Sequence, residues 1–304
     1  MGKMALAIHG GAGTILRSAM TTELEAEYRS GLEAALNAGW SILAGGGSSL
    51  DAVEAAVVSL EDFPLFNAGR GSVFTSDGKN EMDAAIMDGA SLKAGAAAAV
   101  QNVKNPIKLA RLVMEKTEHI MLAADGANQF AAAMDVEPAP DDYFFTEQRW
   151  QQLQDAIAAG RVQLDHAQAR PKGTVGAVAC DARGRLAAAT STGGMTNKKF
   201  GRIGDTPIIG SGTYADETCA VSCTGHGEYF MLGLTAYDVS ARMKYKGLDL
   251  ETAADEAMDR LTEIGGEGGL IAVDTTGNVV LPFNSEGMYR AAMIDGQISV
   301  EIYQ

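Results

Sequence analysis

The chain has 304 residues, of which 46% are hydrophobic and 21% are charged, and its formal net charge is −15 at pH 7. This length and composition allow a large buried core, and we expect a single domain over 1–304 because no Pro- or Ser-rich linker separates two patterns. The negative charge repels polyanions, which argues against nucleic acid or an anionic membrane surface as a partner and leaves small solutes.

The first half of the chain predicts helices and antiparallel strands. An apolar strand at 4–8 runs into the glycine-rich turn HGGAG at 9–13. Amphipathic helices are predicted over 22–44 and 49–61, the second capped by Ser49 or Asp51. Residues 71–100 contain apolar runs at 72–75, 82–87 and 94–100, separated by Asp-Gly pairs, which is typical of hairpins. Helical periodicity returns at 107–115, 126–134 and 147–159.

The second half begins with a polar stretch at 161–173, the only long loop that the sequence indicates. Beyond it we predict a hairpin of strands 174–180 and 185–190, then strands near Ile208 and at 220–223. Helices are expected over 227–244 and 248–264, followed by strands at 269–273, 279–283, 289–294 and 298–302. This order favours a sandwich of two sheets with helices on both outer faces.

Targeting and metal-binding signals are weak. The first ten residues lack the apolar run of a signal peptide, and no stretch of about 18 apolar residues occurs, so we expect a cytoplasmic protein. The three cysteines have no metal-ligand spacing and are expected to be buried, and the four histidines are dispersed. Metal-dependent and Ser-His-Asp hydrolases are therefore disfavoured.

A candidate nucleophile lies where the polar loop turns into an apolar strand, at GTVGAV, residues 173–178. Taken alone, Thr174 is better explained as an ordinary β-branched strand residue. Two further segments, TSTGG at 190–194 and SCTGHG at 222–227, also place hydroxyl residues directly before glycines at strand ends. Open backbone N–H groups at such ends can stabilise an oxyanion.

The sequence resembles the plant-type L-asparaginases, also called isoaspartyl aminopeptidases, and most closely their bacterial members. The resemblance covers essentially the whole chain. Eight motifs occur in register: IHGGAG at 8–13, PLFNAGRGSVF at 64–74, MDGASLKAG at 87–95, GTVGAVACD at 173–181, TSTGGMTNK at 190–198, GRIGDTPIIG at 201–210, SCTGHGEYF at 222–230 and FNSEGMYR at 283–290.

The resemblance implies an αββα N-terminal-nucleophile (Ntn) fold, four layers in which helices flank two mainly antiparallel sheets. It also implies a precursor that cleaves itself between Gly173 and Thr174 into subunits 1–173 and 174–304, which assemble as an (αβ)₂ dimer. The expected substrates are L-asparagine and β-aspartyl dipeptides. A threonine hydroxyl needs a base, and the α-amine that cleavage frees on Thr174, with a reference pKa of about 7.7–8.0, can serve as one.

Further active-site roles follow from the same resemblance. Thr192 is similar to the family's threonine that orients the nucleophilic hydroxyl, and its alternative is a strand-end residue bonded to its own backbone. The Thr224 hydroxyl and the Gly225 N–H resemble the family's oxyanion hole, and an ordinary turn is the alternative. His9 and Gly10 resemble the turn that supports the active site, although a plain structural turn explains them equally well.

Arg202 and Asp205 resemble the family's clamp on the substrate's α-carboxylate and α-ammonium. An arginine can bind a carboxylate through two hydrogen bonds, and an aspartate can accept from an ammonium. Lys198 and Lys199 add to a local positive charge that favours an anion site, and the alternatives are a surface ion pair and a solvated basic loop.

The segment 60–70 resembles the family's sodium loop, while no cofactor is expected for catalysis. Hard cations prefer oxygen ligands. The ligands implied are six main-chain carbonyls, those of Leu60, Glu61, Phe63, Phe66, Ala68 and Arg70. Two features depart from the family: the linker before Gly173 is short, which affects the strain that drives cleavage, and Arg70 replaces a small or apolar residue.

Two competing functions remain open at this point. Glycosylasparaginases share the threonine chemistry, but they usually have Asp before the nucleophile, where this chain has Gly173. A solute-binding protein could use Arg202 and Asp205 to hold an amino acid, with Thr174 merely structural. Such a protein would stay one polypeptide of 31.7 kDa, whereas an Ntn hydrolase gives two fragments.

Overall fold

The computed structural model describes residues 2–160 and 173–304, so the polar loop predicted at 161–173 lies outside the described residues except for Gly173. The helices are α1 Thr22–Ala44, α2 Ser49–Glu61, α3 Pro106–Lys116, α4 Ala124–Ala133, α5 Asp141–Phe144, α6 Glu147–Ala158, α7 Gly227–Gly233, α8 Thr235–Ala241 and α9 Leu250–Glu263. The strands are β1 Ala5–Gly13, β2 Met82–Asp88, β3 Lys93–Val100, β4 Met121–Ala123, β5 Val175–Cys180, β6 Leu186–Thr192, β7 Thr213–Ala215, β8 Cys219–Gly225, β9 Gly268–Asp274, β10 Val279–Val280, β11 Gly287–Ile294 and β12 Gln297–Tyr303.

Within the described ranges, these strands form two sheets. The larger has eight strands in the order β12-β11-β1-β5-β6-β2-β3-β4, and the smaller has four in the order β10-β9-β8-β7. Every pair is antiparallel except β3 with β4. The larger sheet interleaves strands from both sides of Gly173, since β1 pairs with β5 and β2 pairs with β6.

The residues of β1 show how the layers are built. Leu6 and Ile8 face α1 and α2 in one apolar cluster, while Ala5 and Ala7 face the smaller sheet in another. Alternate strand residues point to opposite faces, so a strand covered on both faces has no polar side. A third cluster packs α8 and α9 against the outer face of the smaller sheet. The four-layer αββα sandwich is therefore confirmed.

Several local predictions were wrong. Residues 72–75 form no strand and instead follow a 3₁₀ turn at Gly69–Gly71. The segment near Ile208 holds only an isolated bridge from Ile209 to Thr213. The helix expected over 227–244 breaks at Leu234, whose φ of 48° is left-handed, and the strand expected over 279–283 is only Val279–Val280. Apolar runs identify burial, but hydrogen-bond partners decide whether a buried segment is a strand.

The β2–β3 and β5–β6 hairpins and the helices predicted at 22–44, 49–61, 107–115, 126–134, 147–159 and 248–264 are confirmed, with small changes at their ends. The hairpin expected between 72–75 and 82–87 is not formed, because 72–75 is not a strand. Helix α2 spans Ser49–Glu61 as predicted, but its cap is Ser48 rather than Ser49 or Asp51, because Ser48 Oγ accepts the Asp51 N–H. The three cysteines are buried, as expected. Among the described residues, no helix is long and apolar enough to cross a membrane.

The fold brings three strand ends to one place. Val175 pairs with Ser191, so Thr174 just before β5 lies beside Thr192 at the end of β6. Strand β8 of the smaller sheet lies across from β5 and β6 and ends at Thr224 and Gly225. Residues that are far apart in sequence thus meet at one edge of the sandwich.

Candidate active site

The hydroxyls of Thr174 and Thr192 are in direct contact. Thr174 Oγ1 donates a hydrogen bond of 3.1 Å to Thr192 Oγ1, which also accepts the Gly194 N–H at 2.9 Å. Thr174 is only 8% exposed and Thr192 is 3% exposed. A Thr192 oxygen fixed by the Gly194 amide defines where the Thr174 hydroxyl points, which is the geometry expected of an orienting residue.

Gly173 lies in a position that only glycine can occupy without strain. Its φ is +123°, in the region that favours glycine, and a Cβ there would lie 2.5 Å from Gly11 Cα and 3.1 Å from Ala12 N. The same Cβ would be 3.0 Å from Thr224 Oγ1. The residue before the candidate nucleophile is thus held between the β1 turn and Thr224.

Thr224 and Gly225 end β8 next to this peptide. The Thr224 side chain is fully buried, and its Oγ1 accepts the Ala12 N–H at 3.3 Å. Gly225 has a φ of +147°, and a Cβ on it would overlap the Glu267 carbonyl. The structure therefore brings together Thr174, Thr192, Thr224 and Gly173, as the sequence indicated.

Arg202 and Asp205 converge on Gly227, at the start of α7. A Cβ on Gly227 would lie 2.6 Å from Asp205 Oδ1 and 2.9 Å from Arg202 Nη2. Asp205 is 5% exposed, and burial raises its pKa to about 7, although the Arg202 charge opposes this. Its Oδ2 has no hydrogen-bond partner among the described residues. A buried acceptor of this kind suits an ammonium ligand.

Glu228 is a residue of this site that the sequence did not single out. Arg202 Nε and Nη2 donate to its two carboxylate oxygens at 3.0 and 2.9 Å. Burial raises the pKa of Glu228, but the hydrogen bond and charge of Arg202 outweigh this and lower it overall. Glu228 lies in the SCTGHGEYF motif, which offered a signal, but a half-exposed glutamate after a glycine is not distinctive by itself.

Lys198 is not part of a solvated basic loop, whereas Lys199 is exposed. Lys198 is 1% exposed, its Nζ donates to the Glu81 carbonyl at 2.7 Å, and burial lowers its pKa. Its Nζ would lie 3.1 Å from a Cβ on Gly194. The lysine charge is therefore fixed beneath the turn that follows Thr192.

His9 contacts Thr174, the candidate nucleophile, directly. Its Nδ1 lies 2.9 Å from the Thr174 carbonyl oxygen and its Nε2 lies 2.9 Å from Ser222 Oγ. The ring is fully buried, and this burial lowers its pKa to about 3, so the imidazole is neutral at physiological pH. The glycine-rich turn thus reaches the site through a side chain as well as through its backbone.

The 60–70 segment runs from the end of α2 to the turn at Gly69–Gly71. A Cβ on Gly69 would overlap the Glu61 carbonyl, and one on Gly71 would overlap the Phe66 carbonyl. Arg70 is exposed, with its guanidinium 5.7 Å from the Tyr143 ring centroid. The backbone is therefore rich in closely packed carbonyls, and the Arg70 side chain lies against an aromatic ring at the surface.

This segment is joined to the active site by Asn67. The Asn67 Nδ2 donates to the Gly194 carbonyl at 2.8 Å, and the main-chain carbonyl of Asn67 accepts the Gly193 N–H at 3.0 Å. Its Oδ1 accepts the Val73 N–H at 3.0 Å. The position of the turn after Thr192 thus depends on the 60–70 segment.

Arg149 in α6 is a second residue that the sequence did not predict. It is 1% exposed, and its guanidinium donates to the Gly71 carbonyl at 2.8 Å and to the Leu65 carbonyl at 3.3 Å. Helix α6 leads directly into the segment that ends at Gly173.

In the described part of the chain, no group of three His, Cys, Asp or Glu side chains is arranged to hold a metal ion.

Comparison with known proteins agrees with this arrangement. An asparaginase family model matches residues 2–302. The isoaspartyl peptidase of Salmonella typhimurium is 52% identical over 298 residues, covering 96% of this chain and 95% of that protein. The isoaspartyl peptidase/L-asparaginase of Homo sapiens is 46% identical, covering 95% and 92%, and the plant-type L-asparaginase of Pyrococcus abyssi is 44% identical, covering 96% and 97%. With a family match over nearly its whole length and relatives this similar, the chain belongs to the asparaginase family.

Proposed function

We propose that this protein hydrolyses β-aspartyl (isoaspartyl) dipeptides and L-asparagine to release L-aspartate, with Thr174 as its nucleophile. The observation that supports this most directly is the 3.1 Å hydrogen bond from Thr174 Oγ1 to Thr192 Oγ1, next to a peptide that requires glycine at 173. The names of the similar proteins, isoaspartyl peptidase and L-asparaginase, support the same reaction.

Maturation comes first in this proposal. The Thr174 hydroxyl attacks the Gly173 carbonyl, the bond from that carbon to the Thr174 nitrogen breaks, and the nitrogen leaves as the free α-amine. Water then hydrolyses the ester, giving a Gly173 carboxylate and the Thr174 hydroxyl. The products are 1–173 and 174–304 within one Ntn domain. The interleaving of β1, β5, β6 and β2 in a single sheet is a physical reason for the fragments to stay together.

Substrate hydrolysis then uses the same hydroxyl. The freed α-amine takes its proton as the hydroxyl attacks the side-chain carbonyl of the aspartyl group. The Thr224 hydroxyl and the Gly225 N–H stabilise the oxyanion. Ammonia or an amino acid leaves with a proton, and water releases aspartate from the ester on Thr174.

The clamp of Arg202 and Asp205 selects the substrate class. Asparagine and β-aspartyl dipeptides share a free α-carboxylate and α-ammonium, whereas an α-linked Asp-X peptide has no free α-carboxylate. Glu228 occupies the Nε and Nη2 atoms of Arg202, so the substrate carboxylate either approaches from the Nη1 side or displaces Glu228. In either case the hydrogen bonds from Glu228 fix the orientation of the Arg202 guanidinium before the substrate binds.

A sodium ion held by the carbonyls of Leu60, Glu61, Phe63, Phe66, Ala68 and Arg70 is part of the proposal, and catalysis itself uses no cofactor. The residues fit, because Gly69 and Gly71 lie so close to the Glu61 and Phe66 carbonyls that neither could carry a Cβ, and carbonyl oxygens are ligands that a hard cation prefers. A bound cation would link the six carbonyls and stabilise the loop that positions Asn67. Replacing sodium with choline in the buffer should then lower the melting temperature, and an unchanged value would remove sodium from the proposal.

We also propose that the mature protein is an (αβ)₂ assembly, is cytoplasmic and does not bind nucleic acid or membranes. The acidic sequence is consistent with avoidance of polyanions. Size-exclusion chromatography with light scattering tests the assembly, for which a mass of about twice 31.7 kDa is expected. A mass of one cleaved chain would contradict it.

The maturation test is a denaturing gel with N-terminal sequencing of the smaller fragment. Wild type should give two fragments, the smaller beginning at Thr174, and Thr174→Ala should stay a single folded, inactive chain. Two normal fragments from Thr174→Ala would contradict the Ntn mechanism. A single band from active wild type would contradict self-cleavage, and a single band without activity would favour a solute-binding protein.

The substrate test compares β-Asp-Leu, asparagine and α-Asp-Leu with the cleaved enzyme. Hydrolysis of the first two and not the third is expected. Arg202→Ala should lower kcat/KM at least about tenfold, since a charge-assisted contact contributes roughly 1.5–3 kcal/mol, and Arg202→Lys should recover only part. Equal turnover of the α- and β-linked dipeptides would contradict the clamp, and turnover of glycosylated asparagine alone would favour a glycosylasparaginase.

A further inference from the structure

A buried chain of polar side chains connects the two sheets behind Thr174. It comprises His9 of β1, Ser222 of β8, Thr190 of β6 and Thr213 of β7, all 0% exposed. His9 Nε2 and Ser222 Oγ are 2.9 Å apart, Ser222 Oγ and Thr190 Oγ1 are 2.7 Å apart, and Thr190 Oγ1 and Thr213 Oγ1 are 2.7 Å apart. The chain ends on the Thr174 carbonyl, 2.9 Å from His9 Nδ1.

The direction of the first three hydrogen bonds follows from that carbonyl, because a carbonyl can only accept. His9 Nδ1 must therefore hold the ring proton, and the neutral ring leaves Nε2 as an acceptor. Ser222 then donates to His9, so Thr190 must donate to Ser222. Thr213 can donate to Thr190 or to the Thr206 carbonyl, which is 3.0 Å from its Oγ1. A single proton arrangement satisfies the three contacts from the Thr174 carbonyl to Thr190, which makes this part of the chain directional.

The sheet provides space for this arrangement at one point. Gly176 of β5 pairs with His9 on one side and with Thr190 on the other. A Cβ on Gly176 would overlap Ser222 Oγ and lie 2.5 Å from His9 Nε2. Only a glycine on β5 lets the side chains of the two sheets meet across it.

Cleavage changes how Thr174 is held. Before cleavage, Thr174 is tethered on both sides, but cleavage makes it a chain terminus, and termini fray unless they are held. Among the described residues, three restraints then remain on Thr174: the strand from Val175 onward, the contact with Thr192, and the hydrogen bond from His9 to its carbonyl. The Thr192 contact holds the side chain of Thr174, and the strand holds its main chain from within β5. Of these three, only the hydrogen bond from His9 holds the Thr174 main chain from outside β5.

We propose that His9, oriented by the chain from Ser222 through Thr190 to Thr213, is a positioning residue that holds the main chain of the terminal nucleophile Thr174 in the mature enzyme. This inference rests on the proposed function for its kinetic consequences, and it adds a residue to that site. His9 does not exchange protons with substrate. It acts through Thr174, so its loss should lower kcat with little change in KM, because Arg202 and Asp205 still bind the substrate.

Two substitutions at His9 separate its two nitrogens. The amide nitrogen of His9→Asn can lie near the Nδ1 position and donate to the Thr174 carbonyl, whereas His9→Gln places its amide near Nε2 and loses that donor. For mature enzyme, counted by its N-terminal threonine, we expect His9→Gln to lower kcat for β-Asp-Leu about tenfold, the effect of one hydrogen bond of about 1.4 kcal/mol. His9→Asn should stay within about threefold, and KM within about twofold for both.

Ser222→Ala provides a variant that leaves His9 in place and removes the donor to Nε2, together with the acceptor for Thr190. A smaller loss of kcat, about threefold, is expected. The matched control is Ser240→Ala, which removes a hydroxyl that is equally buried but bonded to Asp216 in another part of the fold. Ser240→Ala can lower the melting temperature, but its kcat should equal that of wild type.

An NMR measurement tests the contact without relying on activity. The protein has four histidines, so in ¹⁵N-histidine-labelled protein the His9 signal is assigned as the one that disappears in His9→Gln. This signal should show the neutral Nδ1–H tautomer from pH 5 to pH 8. An Nε2–H tautomer, wild-type kcat in mature His9→Gln, or equal losses in His9→Asn and His9→Gln would each overturn the inference. A wild type unable to hydrolyse β-Asp-Leu would instead overturn the proposed function, and the tautomer would still decide whether His9 holds Thr174.

Discussion

Replacing Thr192 with valine removes the acceptor that orients Thr174 while keeping the side-chain shape. Two donors lose their partner: the Thr174 hydroxyl at 3.1 Å and the Gly194 N–H at 2.9 Å. Loss of this hydrogen bond, about 1.4 kcal/mol, from the transition state raises the barrier by the same amount, so we expect kcat to fall about tenfold. Loss of the partner of the half-buried Gly194 amide should reduce the free energy of unfolding by about 1–2 kcal/mol.

The assay measures kcat and KM for β-Asp-Leu, with active enzyme counted by its N-terminal threonine, and follows cleavage of the precursor on a denaturing gel. KM should stay within about twofold, and Thr192→Ser, which restores the acceptor, should return kcat to within about threefold of wild type. Thr235→Val, at a buried threonine at the start of α8, controls for loss of stability alone. Fully cleaved Thr192→Val with wild-type kcat would refute this account of the site.

Three further predictions concern the clamp and the buried arginine. Glu228→Gln weakens the charge that holds Arg202, so KM for β-Asp-Leu should change at least about threefold while kcat changes less, and an unchanged KM would show that Glu228 does not orient the clamp. Asp205 has a pKa of about 7 when folded against 3.8 normally, so its contribution to stability is complete below about pH 4 and is lost as pH rises to 7, and the free energy of unfolding falls by up to about 1.4 kcal/mol per pH unit. Denaturant unfolding between pH 4 and 8 should show this dependence in wild type but not in Asp205→Asn. Equal dependence in the two proteins would contradict it. Arg149→Met should lower the free energy of unfolding by about 3 kcal/mol or more, because two loop carbonyls lose a charged donor, whereas the exposed Arg260→Met should cost less than about 1 kcal/mol; similar losses would contradict a structural role for Arg149.

Much of the fold could be predicted because local signals agreed with tertiary structure. The Asp88-Gly89 turn identified the β2–β3 hairpin, the turn at 181–184 between two apolar runs identified the β5–β6 hairpin, and apolar spacing identified α1, α2 and α9. Residues 72–75 failed because an apolar run can be buried without strand partners. Here the run follows the Gly69–Gly71 turn, and the Asn67 side chain accepts the Val73 N–H in place of a neighbouring strand.

The candidate site divides in the same way. Gly173 and Thr174 stand at a local change from polar loop to buried strand, but this signal alone favoured an ordinary strand residue at Thr174. The family motifs in register made Thr174 recognisable as a candidate nucleophile, and with it Thr192, Thr224, Arg202 and Asp205. The residues that were missed, Glu228 and Arg149, make contacts that no pattern of neighbouring residues in the sequence indicates.

The sequence by itself determined most of the helices, the β2–β3 and β5–β6 hairpins, where glycine is placed, and which hydroxyl residues stand at strand ends, because these depend on a few adjacent residues. Only the tertiary structure decided which of these ends meet. Thr174 and Thr192 are 18 positions apart and come together through the β5–β6 register, while His9 reaches Thr174 across 165 positions. Burial then set the chemistry, since the same desolvation that keeps His9 neutral raises the pKa of Asp205. Periodicity shows that a face is buried, but the groups buried against it, and the protonation states they impose, depend on contacts between distant parts of the chain.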